Sequence, residues 1–150
     1  MCFRVVDFSA LNALDSIDGS NSGATKRKYL LLDSHFSNMK FEFDETKWEE
    51  KNGYKTIRVF DISESSFVQI VEVSPSSEVG KHYHRNQTEV FYILEGSAIL
   101  GLGGTEYRAK EGDIFLCKPK TIHYVINNSQ NRFRVLVFKY NWVKNDSVWL

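Results

Sequence analysis

Cysteine, proline and histidine are scarce in this chain, and so is net charge. Two cysteines, Cys2 and Cys117, are too few for a disulfide framework and suit a reduced setting. Nineteen basic residues cancel nineteen acidic ones, so no field is available to steer nucleic acid or an anionic membrane. No stretch approaches the roughly 18 apolar residues of a membrane span. The opening "MCFRVVDFSALNALDSIDGS" carries aspartates where a signal peptide keeps a clean apolar run. A cytoplasmic protein is therefore expected, with a small molecule or a second copy of the chain as its partner. Two prolines, Pro75 and Pro119, leave long stretches free to pair as strands, and both fall where strands are predicted to end.

What is present is a supply of core. The chain has 150 residues, of which 42% are hydrophobic and 14% aromatic, enough for one domain with a real interior. Residues 1–38 read as a peripheral N-terminal arm, with "CFRVVDF" and "KRKYLLLDS" as short strands around the polar loop "DGSNSGAT". An alternative reading has Met39 as the natural start. Residues 39–150 form the domain proper. From Tyr54 onward, β-branched and aromatic segments alternate with turn signals: "YKTIRVFDI", "SFVQIVEVS", "EVFYILEG", "SAILGLGG", "TEYRAKEG", "DIFLCKP", "HYVINNS" and "FRVLVFKYNW". "SPSSEVG" reads as a loop between two of them. Short strands at this spacing predict an all-β sandwich or jelly roll. "GLGG" at 101–104 reads as a turn, because no helix pattern follows it to make a phosphate cradle.

The segment "GKHYHRNQTEVFYILEG" crowds two imidazoles and a carboxylate into eight residues. His82 and His84 project to one face of an extended segment, and the turn "RNQT" can fold Glu89 back toward them. His123 follows a Pro turn in "KPKTIHYVIN". Imidazole nitrogens with a carboxylate oxygen form a ligand set for Fe, Mn, Ni or Zn. By strand parity Glu89, Phe91 and Ile93 share one face, as do His123, Val125 and Asn127, whereas Val90, Tyr92 and Leu94 take the opposite face.

The spacing H-x-H-x4-E-x6-G, from His82 to Gly96, resembles the first motif of the cupin superfamily. Gly112, Pro119, His123 and Asn127 resemble the second, G-x5-P-x-G-x2-H-x3-N, with the proline one place late. Ser76 and Lys120 stand where the family has glycine. The resemblance covers roughly residues 54–140. It implies a double-stranded β-helix barrel in which His82, His84, Glu89 and His123 hold one divalent metal ion. Such a site points to a mononuclear metal enzyme acting on a small organic molecule, with dioxygenase-like chemistry favoured. A non-catalytic metal- or small-molecule-binding module and a sugar-phosphate isomerase are the alternatives. The isomerase needs an interior cationic clamp, which the sequence does not display. Asn127 and Gln87 are candidates to hold the ligands in place by hydrogen bonds. Cys117 reads as packing, and Lys118, Lys120 and Arg108 as solvated turn charges. Trp142 and Trp149, on an otherwise polar tail, read as anchors of a homodimer contact.

Overall fold

The alternation in "FRVLVFKY" sends Phe133, Val135 and Val137 to one side, and that side is the buried one. The same period-two logic runs through the computed structural model, which describes residues 40–150. The expected arm at 1–38 lies outside the described residues. Eleven strands follow a short 3-10 turn at Glu45–Lys47. They are β1 (Glu49–Glu50), β2 (Tyr54–Ser63), β3 (Ser66–Val73), β4 (Ser77–His84), β5 (Thr88–Glu95), β6 (Ser97–Leu102), β7 (Thr105–Lys110), β8 (Ile114–Cys117), β9 (His123–Asn127), β10 (Phe133–Tyr140) and β11 (Ser147–Trp149). All pairings are antiparallel. One sheet runs β1-β2-β3-β10-β5-β8 and the other β11-β4-β9-β6-β7. This is the two-sheet jelly roll expected from the strand spacing. No helix among the described residues is long and apolar enough to cross a membrane.

The core cluster takes Val73 from β3, Phe91 and Ile93 from β5, Ala98 and Leu100 from β6, and Phe133, Val135 and Val137 from β10. Turn chemistry joins the strands as the residues dictate. Gly103 and Gly104, at φ 59 and 89, make the two-residue hairpin between β6 and β7. Positive φ at both central positions matches the strand twist. Gly96, at φ 84, turns β5 into β6, and a Cβ there would sit 2.5 Å from the Arg132 carbonyl oxygen. Ser76 and Lys120 adopt the same left-handed region, at φ 53 and 65. The family's two glycine conformations are thus kept without glycine, at a steric cost of about 1–2 kcal/mol each.

Two expectations are corrected. The segment 74–80 is a loop only as far as Ser76, since β4 begins at Ser77 and pairs with β9 from Ser77↔Asn127 onward. Its serines and Gly80 gave no strand signal, and cross-strand pairing overrides that weak propensity. The tail is not merely a polar end. β11 pairs with β4, placing Trp149 opposite His82 and Ser147 opposite His84. Trp142 packs edge-on against Phe67 at 5.7 Å between ring centroids. Both tryptophans therefore have partners within the chain.

Candidate metal centre

A bulge aims the histidines. On β4, Val79 pairs with Val125 and His82 with His123, so Gly80 and Lys81 on β4 oppose the single residue Tyr124 on β9. The extra residue in Gly80–Lys81 reverses the strand's parity. Val79 then faces the core and His82 and His84 follow it inward. Without the bulge, strict alternation from Val79 would turn Lys81 and Tyr83 inward instead.

Two rows of side chains face one another across the barrel. Across one sheet, Trp149, His82, His123 and Leu102 are register neighbours. Across the other, the row is Phe67, Lys139, Glu89 and Cys117. His82, His84, Glu89 and His123 are all buried. Donor atoms of the three histidines lie within 4.8 Å of one another. Glu89 Oε2 is 3.2 Å from His84 Nε2 and 3.1 Å from His123 Nε2.

The other ring nitrogens are engaged. His82 Nδ1 lies 2.8 Å from the Gly80 carbonyl oxygen and His123 Nδ1 lies 3.0 Å from that of Thr121. Carbonyls only accept, so these Nδ1 atoms donate and, in the neutral rings, each Nε2 presents a lone pair. Ser147 Oγ, 3.1 Å from His84 Nδ1, can take the same role.

This arrangement fits a metal ion. His84 Nε2 and Glu89 Oε2 are buried without a hydrogen-bond partner, close to each other but not aligned as donor and acceptor. A cation between them satisfies both. Ligands at the usual 2.0–2.2 Å from one ion lie about 3 Å apart when adjacent, as these do. Cys117 Sγ lies 3.4 Å from His123 Nδ1, on the other side of the ring from Nε2, and with Glu89 and His123 it makes a second grouping of donor atoms within 4.8 Å of one another. It remains a buried packing residue, but one that touches the site.

The electrostatics point the same way. Burial opposes the Glu89 charge, but the His123 and His84 imidazoles and the Lys139 ammonium outweigh it and hold the carboxyl well below its ordinary value. Burial also depresses His123. Contacts with Cys117 and Glu89 overcome it and push the pKa up to about 10. For His82, burial and the nearby His123 charge push the pKa down to about 4. Glu89 thus keeps its charge, and a proton on His123 stands where a cation would otherwise balance it.

The cavity above these residues is about 440 Å³, with Phe67, Val71, Phe91, Val135 and Val137 on its walls. That is within the range for small-molecule sites. Tyr54 also lines it; burial and the Glu89 charge raise its pKa, so it stays a neutral donor.

Some expectations about supporting residues fail. Asn127 does not reach the ligands. Its Nδ2 donates to the carbonyls of Val73, Ser74 and Asn131, and its Oδ1 accepts from Ser129. It ties two loops at the far end of β9. Gln87 binds through its backbone, donating to Asp146 Oδ2 at 2.9 Å, while its side-chain nitrogen has no partner. Ser147, Thr121 and the Gly80 carbonyl orient the imidazoles instead. Sequence reasoning missed Lys139, whose Nζ lies 3.1 Å from Glu89 Oε1. Its signal was present, since it continues the inward parity of Phe133, Val135 and Val137.

The two-sheet barrel with a buried histidine–carboxylate cluster inside is a jelly roll whose side chains could hold a metal ion. Residues 69–139, a little under half of the chain, match the family model described as "Cupin domain", and the barrel has the cupin fold. The chain is 30% identical over 79 residues to the uncharacterized protein MJ1618 of Methanocaldococcus jannaschii, covering 53% of this chain and 62% of that relative. The match therefore spans less than two thirds of the relative's length. Among solved structures, KdgF from Halomonas sp. superposes with a TM-score of 0.63 at 18% identity, covering 70% of this chain and 94% of that one. A predicted oxalate decarboxylase from Thermotoga maritima gives 0.64 at 18%, covering 69% and 99%. Streptomyces PAC13 with uridine gives 0.60 at 15%, covering 75% and 91%. At these identities the likeness concerns the fold.

Proposed function

We propose that the barrel holds one divalent first-row metal ion through His82, His84, Glu89 and His123 and acts with it on a small organic molecule. One observation carries this reading. The buried His84 Nε2 and Glu89 Oε2 lack hydrogen-bond partners while converging with His123 Nε2. Bound there, such an ion supplies Lewis acidity and, if redox-active, a site for dioxygen. The chain's own contribution is positional. The carbonyls of Gly80 and Thr121 fix the imidazole orientations, Lys139 holds the second Glu89 oxygen, and the apolar walls exclude water. Dioxygenase-like chemistry, which asks no dedicated acid or base of the protein, is the form of this reading we favour. The alternative of a phosphate-handling isomerase is disfavoured because Lys139 is the one cation on the deep lining. Lys51, also on the lining, is 44% exposed and paired with Glu49.

The test begins with metal content by mass spectrometry of the wild type and of His82→Ala and Glu89→Gln. About one ion per chain, lost in both variants, is expected. Oxygen uptake by Fe(II)-loaded protein over catechols, hydroxy acids and thiols then separates a dioxygenase from a binding module. A folded wild type that takes up no first-row ion would overturn the reading.

A further inference from the structure

Lys139 is an unusual occupant of its position. It sits on β10 between Phe67 of β3 and Glu89 of β5, on the inward face that otherwise carries Phe133, Val135 and Val137. Its side chain is 15% exposed. Burying an ammonium is costly unless it is paired. Glu89 Oε1 supplies one partner at 3.1 Å. The ammonium has three donors, and among the described residues no other acceptor is found for Nζ. The Phe67 ring, 5.8 Å from Nζ to its centroid, is a weak second neighbour, and since the group lines the cavity its remaining hydrogens can reach a ligand there.

Charge bookkeeping sharpens the point, and it rests on the metal reading above. A divalent ion, three neutral imidazoles, one carboxylate and one ammonium leave a net charge of about +2 in a largely apolar chamber. Without Lys139 the charge would be about +1. A neutral ligand leaves that excess uncompensated, whereas an anion offsets it. Phe67, Val71, Phe91 and Val137 give the rest of the ligand an apolar surface, with Tyr54, Thr56 and Gln69 as the polar groups beside it.

We propose that Lys139 is an anion anchor and that the cavity takes small carboxylates with an aromatic or aliphatic body, the carboxylate lying against Nζ. One ammonium beside a bound carboxylate forms a charge-assisted pair. It does not supply the several donors that a phosphate group requires.

The test uses an isosteric pair, phenylacetate and phenylacetamide, titrated into full-length protein by calorimetry. Metal content is measured on the same preparations. The wild type is expected to bind the acid at least tenfold more tightly than the amide. Lys139→Met and Lys139→Gln should bring the two within about twofold, and Lys139→Arg should retain a preference for the acid. A wild type that binds neither compound, or both equally, overturns the proposal, and this holds even if a variant fails to fold. So does a preference that survives Lys139→Met in protein of wild-type melting behaviour. Tighter binding of phenyl phosphate than of phenylacetate overturns the carboxylate class. A metal-free wild type with a Lys139-dependent preference would count against the metal reading and leave this one standing. Metal-loaded protein with no dependence on Lys139 would do the reverse.

Discussion

Asp146 controls the loop that separates two candidate ligands, and removing its carboxylate tests how the centre is held together. Residues 85–87 join β4, which ends at His84, to β5, which carries Glu89. Asp146 accepts from the backbone nitrogens of Asn86 (3.0 Å) and Gln87 (2.9 Å) and from Asn86 Nδ2 (2.8 Å). The carboxylate is buried, at 5% exposure. In Asp146→Ala the Asn86 nitrogens reach water, because that residue is exposed, but the Gln87 nitrogen is buried and cannot. Orphaning one buried donor costs about 1–3 kcal/mol, and losing the exposed contacts adds a few tenths each. A loss of about 2.5 kcal/mol follows, which for a domain of this size lowers the melting temperature by roughly 10 °C. Asp146→Asn keeps an acceptor without the charge and should lose about half as much.

A pH signature separates this tie from simple packing. Burial raises the Asp146 pKa, but the hydrogen bonds from Asn86 and Gln87 outweigh it and hold the carboxyl below its ordinary value. A lowered folded-state pKa means that the unfolded chain takes up the proton first. The stabilisation is therefore complete above the unfolded value of about 4 and is lost as pH falls through the folded one. Denaturant melts from pH 6 down to pH 3 should show a shallower acid limb for Asp146→Asn than for wild type. If Asp146→Ala melts within about 2 °C of wild type, or the acid limb of Asp146→Asn is unchanged, the loop is not held this way.

Backbone conformation gives a pair of opposite expectations. Gly96→Ala places a Cβ 2.5 Å from the Arg132 carbonyl oxygen at φ 84 and should cost at least about 2 kcal/mol in denaturant melts. Lys120→Gly removes a Cβ from φ 65 and should raise stability by about 0.5 kcal/mol after the entropy of glycine is counted; melts showing the same sign for both would refute the account. Trp149 stacks on His82 at 4.4 Å and an interplanar angle of 27°. Trp149→Ala should weaken metal affinity by about threefold to tenfold, from a stack worth about 1 kcal/mol, and Trp149→Phe should weaken it less. Titration with zinc against a competing chelator reads the difference, and equal affinities in all three proteins would show that the stack does not orient His82.

Local patterns carried much of this structure. Apart from β4, the strand segments from Tyr54 to Trp142 are legible because a half-buried strand must alternate, and alternation is written in neighbouring residues. The four candidate ligands could be named because a short turn links His84 to Glu89, and because the spacing from Gly112 to His123 resembles the second cupin motif. The inward parity of Glu89 and of Lys139 could be read the same way, although a lone lysine at a strand end looks like ordinary surface charge until its neighbours are known.

The rest needed the third dimension. No local rule shows that Gly80 and Lys81 bulge, because a bulge answers to the partner strand, yet that extra residue turns His82 and His84 inward. Asn127 was a candidate support for the ligands and shares a strand face with His123, but it sits at the far end of β9 and bonds to the loops there. Nothing local showed that Asp146, Ser147 and Trp149 of the tail return across 60 residues of chain to hold the loop, the His84 ring and the His82 ring. Periodicity and turn length act between neighbours and are therefore written in the sequence. Register between distant strands is decided by which faces can bury one another, and here that pairing brings a C-terminal strand and a buried lysine to the centre.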